Sequence, residues 1–191
     1  MILKNRLFER KEPERDASLF IIYCEGSRRE PKYFEYFEKI SSRVKLEIIK
    51  ADSQGNNSPS GLLKQAKEDF FEGKDSLPKY FLGKEDKVWF VAQSNPCFEV
   101  WLFYHFFREY DKKLSLQDCA AWKCYLNEQI SGGFDSRKHP IYISRAIINS
   151  EWAFYSNSSE LRQGTTEVFK LGKALYPMIK DSIERAILKL N

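Results

Sequence analysis

A glutamate and a glycine follow directly after a short apolar run, and this is the first place where the chain could do chemistry. The run SLFIIYC (residues 18–24) predicts a buried strand that ends at Glu25-Gly26. Ligands of open α/β sheets bind beyond the carboxyl ends of the strands, and a carboxylate there can hold Mg²⁺ or act as a base. From its position alone, Glu25 is explained about equally well as a metal-binding or basic residue and as the ordinary end of a strand. For Glu30, at the start of the next helix, a favourable contact with the helix dipole is the simpler interpretation.

Other charged side chains lie near this strand end or at the same predicted rim. Arg28 and Arg29 stand where a phosphate backbone would pass if Glu25 held a metal, although a solvated loop explains them slightly better. Asp52 follows the second predicted strand (residues 44–51) and could add a carboxylate to this rim. Its simpler interpretation is an Asx turn into the polar loop that follows.

The run QSNPCFEVWLFYHFF (residues 93–107) holds the second group of candidates. Asn95 and Pro96 suit the cap and the first position of a helix, whose free N–H groups could bind a phosphate. Glu99 lies in the first turn of this apolar helix and needs a partner or a cleft. A metal ligand, an acid–base group and the partner of an arginine all remain open for it. His105 falls on the apolar stripe, where a hydrogen-bonded core histidine is more common than a catalyst.

A second basic pair and the cysteines complete the candidates. Arg137 and Lys138 follow the Gly132-Gly133 break and could contact nucleic acid or belong to a solvated loop. The four cysteines form no CxxC pair, and the chain has two histidines to add nitrogen ligands. This pattern argues against a structural zinc site and favours reduced thiols.

The elements that would position these residues alternate between strands and helices over the first half of the chain. Apolar runs predict strands at residues 18–24, 44–51 and 88–92. Helices are predicted to start near Pro31, at Pro59 with Ser58 as cap, and at Asn95-Pro96. The order β-α-β-α-β-α implies an α/β core with a parallel sheet.

The second half of the chain predicts helices alone, at residues 115–131, 137–156 and 165–190. Pro177 is expected to break or kink the last helix, or to lie in the first turn of a new one. We therefore divide the chain into a charged N-terminal arm, an α/β core, and a helical layer that packs on the core within the same domain. Their ranges are 1–17, 18–113 and 114–191.

The composition is that of a soluble globular protein. Of the 191 residues, 42% are hydrophobic and 30% are charged, and the formal net charge of +4 permits nucleic-acid contact without arguing for it. No stretch approaches about 18 consecutive apolar residues, so we expect no membrane span. The N-terminal residues lack the apolar stretch of a secretory signal, so we expect a cytoplasmic protein.

The runs IIYCEGSRREPKYFEYF, AQSNPCFEVWLFYHF and GTTEVFKLGKAL resemble the RloB-like family. The resemblance implies a bacterial protein from a restriction–modification or abortive-infection locus, with an ATPase partner. It also implies a Toprim-like (Rossmann-like) three-layer core and a nuclease of anti-phage defence that cleaves DNA or RNA. Glu25 becomes the leading metal-binding or acid–base residue by this resemblance. Ser94, Asn95, Glu99 and His105 belong to the most recognisable run of the family.

Together these considerations assign expected roles to the candidates. Glu25 and Glu99 are the expected catalytic residues, and Glu25 and Asp52 are the expected Mg²⁺ ligands. Glu30 and His105 accompany the site. The expected nucleic-acid-binding residues are Arg28, Arg29, Ser94, Asn95, Arg137 and Lys138.

The sequence departs from the family pattern in two places. Arg29 stands where a threonine is expected, and the Asp-x-Asp of a Toprim-like site does not occur in the chain. If a βα unit is absent near residues 83–93, about 20–30 residues are missing, through a natural deletion, an engineered deletion or a segment left out of the sequence. Without that unit the site is incomplete, so weak or absent nuclease activity is expected if the given chain is the whole protein. The alternative is a non-catalytic interaction subunit that binds an ATPase partner or nucleic acid. An edge strand exposed by the missing unit would favour a homodimer.

Overall fold

The structure is a computed structural model that describes residues 18–50, 58–70, 92–156 and 160–189. The described part is a mixed α/β protein in which helices predominate. The predicted N-terminal arm lies outside the described residues, and so does all but the last residue of the predicted third strand.

The parallel sheet in the described part has two strands that cross over through one helix. Strand β1 (Ser18–Cys24) pairs with strand β2 (Val44–Lys50), and the register runs from Ser18 opposite Val44 to Cys24 opposite Lys50. Helix α1 (Arg29–Ile40) connects them and buries one aromatic face against the core. Both strands and this helix confirm the sequence prediction, because apolar runs and an amphipathic stripe are local signals.

Helix α2 (Pro59–Phe70) begins where its cap predicts. The Ser58 hydroxyl accepts a hydrogen bond from the Gly61 N–H at 3.1 Å, which satisfies one of the free donors of the first turn. The Tyr23 hydroxyl donates to Asp69 at 2.6 Å and ties α2 to β1.

A second, two-stranded antiparallel sheet replaces two predicted helix starts. Strand β3 (Ser94–Asn95) pairs with strand β4 (Thr165–Thr166), and the Gly164 N–H donates to the Asn95 carbonyl at 2.8 Å. The predicted helix starts at Asn95-Pro96 and at residue 165 are therefore wrong. The backbone groups that would begin a helix instead pair with a segment about seventy residues away, and sequence patterns do not report such pairings.

The remaining elements are helical, as the second half of the chain predicts. A short helix α3 (Glu99–Phe103) is followed by α4 (Cys119–Gln129), a 3₁₀ turn (His139–Tyr142), α5 (Ile143–Ser156) and α6 (Val168–Leu188). Gly132 and Gly133 both have positive φ and end the α4 segment, as expected of glycine. The predicted break at Pro177 is wrong, because α6 continues through it.

Helix α3 lies at the centre of the core, and all five of its residues are buried. It contacts α4, α5 and both short strands. Met178 of α6 receives hydrogen bonds from Ser18, at the start of β1, and from Ser41, before β2. This part of α6 therefore packs at the amino ends of the two parallel strands, opposite Glu25. None of the helices in the described ranges combines the length and apolar character needed to cross a membrane.

Candidate functional site

The candidate site begins at the carboxyl end of β1. Cys24 is buried as the last strand residue, whereas Glu25 is exposed. Gly26 lets the chain turn away, and the Glu30 carboxylate lies directly against it. The strand end thus holds one accessible carboxylate and a second that folds back over the turn.

A third carboxylate enters from α3. Glu99 is 3% exposed, and its Oε1 lies 3.4 Å from the Arg29 Nε. Of the three roles left open for Glu99, this contact favours the partner of an arginine. The pair joins the first turn of α1 to the first turn of α3, although these residues are seventy positions apart.

The electrostatics of Glu30 show that the three carboxylates share one neighbourhood. Burial raises the pKa of Glu30, and the negative charges of Glu99 and Glu25 raise it further. A hydrogen bond from its own backbone N–H and the charge of Arg29 act in the opposite direction. The net increase in pKa means that burial and the neighbouring carboxylates together outweigh the stabilisation that the backbone N–H and Arg29 give to the ionised form.

Two cysteines border the carboxylates and were not singled out from the sequence as functional. Burial raises the pKa of the Cys24 thiol to about 12, with a further contribution from Glu30. Burial and then the Glu99 carboxylate raise the pKa of the Cys97 thiol. Both thiols stay protonated at neutral pH and are therefore poor nucleophiles there. The feature of the sequence that could have indicated a place for Cys97 near the site is its position two residues before Glu99.

Lys50 is another residue near the site that sequence reasoning missed. It ends β2 opposite Cys24, and its charge lowers the pKa of that thiol. Its Nζ lies 3.4 Å from Glu35 Oε1 on α1. The parallel register would have pointed to it, because the final residues of paired parallel strands reach the same edge.

His105 is a core residue, as its place on an apolar stripe favours. Its side chain is fully buried, and Nδ1 donates to the Trp101 carbonyl at 3.1 Å because a carbonyl can only accept. The neutral Nε2 then accepts from the Tyr33 hydroxyl at 3.0 Å. Burial lowers the pKa of His105 to about 3, so the ring is neutral and joins α3 to α1.

The structure gives Ser94 and Asn95 local structural contacts. The Ser94 and Thr166 hydroxyls are hydrogen-bonded at 2.7 Å across the short antiparallel sheet. Asn95 precedes α3 by four residues and does not cap it, since the helix begins at Glu99. Asn95-Pro96 therefore does not begin a helix, and the expected nucleic-acid-binding roles of Ser94 and Asn95 stay predictions.

The basic residues fall into two separate places. Arg28 and Arg29 are exposed between Glu25 and the first turn of α1. Arg137 instead forms a two-pronged ion pair with Asp135, with both nitrogen–oxygen distances at 3.0 Å. This pairing lowers the pKa of Asp135 to about 2. Lys138 beside it is exposed.

The donor chemistry of the site suits a hard cation, but the number of protein ligands is small. Among the described residues, no group of three or more His, Cys, Asp and Glu side chains could hold a metal ion. Mg²⁺ usually takes one or two protein carboxylates and completes its shell with water and substrate phosphates. Glu25 and Glu30 fit that smaller requirement. Asp52, the other expected ligand, lies outside the described residues.

Comparisons with family models, with curated proteins and with solved structures found no match for this chain.

Proposed function

We propose that the protein is the nuclease component of a bacterial anti-phage system and that it cleaves DNA or RNA with Mg²⁺. The supporting observation is the convergence of Glu25, Glu30 and Glu99 at the carboxyl end of β1, with Arg28 and Arg29 beside them. The resemblance of the surrounding runs to the RloB-like family suggests the same chemistry. A Toprim-like core and an ATPase partner belong to this proposal.

We assign a role to each of these residues from its exposure to solvent. Glu25 is accessible, so it contacts the metal or moves a proton at the scissile phosphate. Bound Mg²⁺ would stabilise the charge that develops on the attacking and leaving oxygens. Arg28 and the half-exposed Arg29 hold the phosphate backbone, and Arg29 also fixes Glu99. A cation at this position would relieve the repulsion that Glu99 and Glu25 exert on Glu30.

Cleavage assays with a matched pair of variants test the proposal. Purified protein is incubated with single-stranded and duplex DNA and RNA, with Mg²⁺ or with a chelator. Glu25→Gln is expected to abolish cleavage with the fold retained. Glu184→Gln is the control. Glu184 is an exposed glutamate in the half of α6 that contains Met178, and Met178 packs at the end of β1 opposite Glu25. The proposal fails if no substrate is cleaved, alone or with the ATPase, or if Glu25→Gln cleaves normally.

A second candidate function is a non-catalytic subunit that binds the ATPase partner or nucleic acid. It is favoured by the contact that Glu99 makes with Arg29 and by the missing Asp-x-Asp motif. Glu25→Gln would then leave protection against phage intact in cells. Loss of protection in Glu25→Gln, with normal protein levels, would contradict this candidate.

A further inference from the structure

The outer face of α5 has an unusual composition for a surface helix. Four of its exposed residues, Arg145, Ile148, Trp152 and Tyr155, are spaced by three or four positions, so they lie on one side. Ile148, Trp152 and Tyr155 are 66%, 36% and 56% exposed, while the opposite side of α5 packs into the core. A surface helix normally carries charged and polar residues on its outer side. A contiguous apolar stripe in that place indicates a binding surface.

Arginine side chains lie over the rings of this region. The Arg108 Cζ is 4.2 Å from the ring centroid of Trp152, and the Arg145 Cζ is 5.4 Å from that of Tyr142. We call these two arginines, the three rings and Ile148 the ring–arginine face; its rings are Tyr142, Trp152 and Tyr155. Glu151, the acidic residue of α5, is paired with Lys173 of α6 and is not one of the exposed residues. The face therefore combines flat apolar surfaces with positive charge.

We propose that the ring–arginine face binds single-stranded nucleic acid by stacking bases on the exposed Tyr155 ring and on the guanidinium groups that Trp152 and Tyr142 support. Exposed rings interleaved with arginines are the chemistry that holds unpaired bases and the phosphates between them. A duplex keeps its base faces inside its own stack and cannot offer them. The positive charge selects a polyanion over an apolar peptide. The inference deepens the proposed function by naming a single strand as ligand, but binding at this face requires no cleavage.

Fluorescence anisotropy tests this binding without relying on activity. The probe is a fluorescein-labelled oligothymidylate of about 16 nucleotides, the upper site size of one compact binding module. It is titrated with the full chain in the presence of a chelator, and a duplex of equal length is the comparison. Trp152→Ala and Tyr155→Ser are each expected to raise the Kd for the single strand about tenfold, the scale of one lost stacking contact. Trp152→Phe, which retains a ring, is expected to stay close to the wild type.

Matched controls separate this face from general surface effects. Leu188→Ala removes an apolar side chain that is 75% exposed on α6, and it is expected to leave the Kd unchanged. Arg145→Gln is expected to lower the slope of log Kd against log salt by about 0.7, as for one phosphate contact on a single strand. Lys180→Gln, which removes an exposed charge on α6, is expected to leave that slope unchanged. Circular dichroism establishes that each variant is folded.

Several results would overturn the inference. They are no binding of the oligothymidylate, equal or tighter binding of the duplex, or a Kd that neither Trp152→Ala nor Tyr155→Ser alters. Displacement of the oligonucleotide by polyglutamate at equal charge concentration would also overturn it, because charge alone would then account for binding. Stacking-dependent binding without cleavage under Mg²⁺ contradicts the nuclease proposal and leaves this inference standing. If the protein cleaves nucleic acid but neither ring variant alters the Kd, the nuclease proposal stands and this inference fails.

Discussion

Glu99 in α3 and His105 just after it are both buried, and each has a different kind of polar partner. His105 is neutral, and both of its ring nitrogens form hydrogen bonds, one to the Trp101 carbonyl and one to the Tyr33 hydroxyl. Glu99 instead contacts the half-exposed Arg29. A buried polar group is costly unless it is hydrogen-bonded, and a buried charge is costly unless it is paired. His105 therefore serves the core, whereas the charge of Glu99 depends on a residue of the candidate site.

Stability is expected to fall in acid because of His105. Its pKa is about 3 in the folded protein against an ordinary 6.5, so below pH 6.5 the unfolded chain binds a proton that the folded chain does not. The free energy of unfolding then decreases as pH falls from 6.5 towards 3, by up to about 1.4 kcal/mol per pH unit. At pH 5 the loss is about 2 kcal/mol. Urea denaturation at pH 7 and pH 5 measures it.

A matched histidine variant isolates this contribution. His105→Gln is expected to lose about 2 kcal/mol less than the wild type between pH 7 and pH 5. His139→Gln is the control, because His139 is only partly buried and its pKa is lowered less strongly. Equal pH dependence in both variants and the wild type would contradict a buried neutral His105.

Removing the charge of Arg29 is expected to leave Glu99 buried without its ion-pair partner. Arg29→Gln should lower the free energy of unfolding by about 2 kcal/mol, less than for a fully buried pair because Arg29 is 42% exposed. The double variant Arg29→Gln/Glu99→Gln should regain most of this loss, since no charge is then buried. Denaturant titrations of both variants measure the coupling. A double variant that is less stable than Arg29→Gln would show that the pair is not the cause.

At the scale of elements, the short sheet of β3 and β4 determines where α3 begins. Thr165 and Thr166 are both buried, and their hydroxyls are hydrogen-bonded. The Thr166 hydroxyl contacts Ser94 and also accepts from the Val168 N–H at 3.1 Å. One side chain thus joins the segment before α3 to the start of α6, which fixes the approach of Glu99 to the site.

This sheet marks the limit of what the sequence could predict. β1, α1, β2 and α2 follow from apolar runs, stripes and caps that lie within a few residues of each element. Two-residue strands have no such pattern, and their pairing partners are distant in the chain. The same limit applies to the site: the position of Glu25 after a strand was visible, whereas the contact between Arg29 and Glu99 arises only when α1 and α3 pack together.

Removing the Thr166 hydroxyl is expected to weaken this junction. Thr166→Val keeps the shape of the side chain but removes the hydrogen-bond partner of the half-buried Ser94 hydroxyl and of the buried Val168 N–H. The expected loss is about 2 kcal/mol of unfolding free energy. Thr166→Ser retains the hydroxyl and loses one methyl group, so it should cost about 0.8 kcal/mol or less. Chemical denaturation compares the two variants, and a larger loss for Thr166→Ser would contradict the hydrogen-bond explanation.

At the scale of the whole molecule, the two surfaces that we propose for nucleic-acid binding differ in their chemistry. The carboxyl end of β1 carries an excess of carboxylates with arginines beside them. The outer face of α5 carries rings and arginines, and Glu151 of this helix is paired with Lys173. Under that proposal, a nucleic acid would need a cation to approach the first surface but not the second. Cation binding and nucleic-acid binding are therefore separable measurements on the same protein.

Mg²⁺ is expected to stabilise the folded protein through the carboxylates at the strand end. The raised pKa of Glu30 reflects burial and repulsion from Glu99 and Glu25, and a bound cation would relieve that repulsion. A ligand at about ten times its Kd adds about 1.4 kcal/mol of stability, which corresponds to a rise in Tm of about 3–6 °C for a chain of this size. Calorimetry with MgCl₂, and with NaCl at equal ionic strength, measures the rise. Glu25→Gln should abolish it and Glu184→Gln should retain it. A Tm that responds equally to both salts would exclude a cation held by this cluster and would favour the non-catalytic subunit.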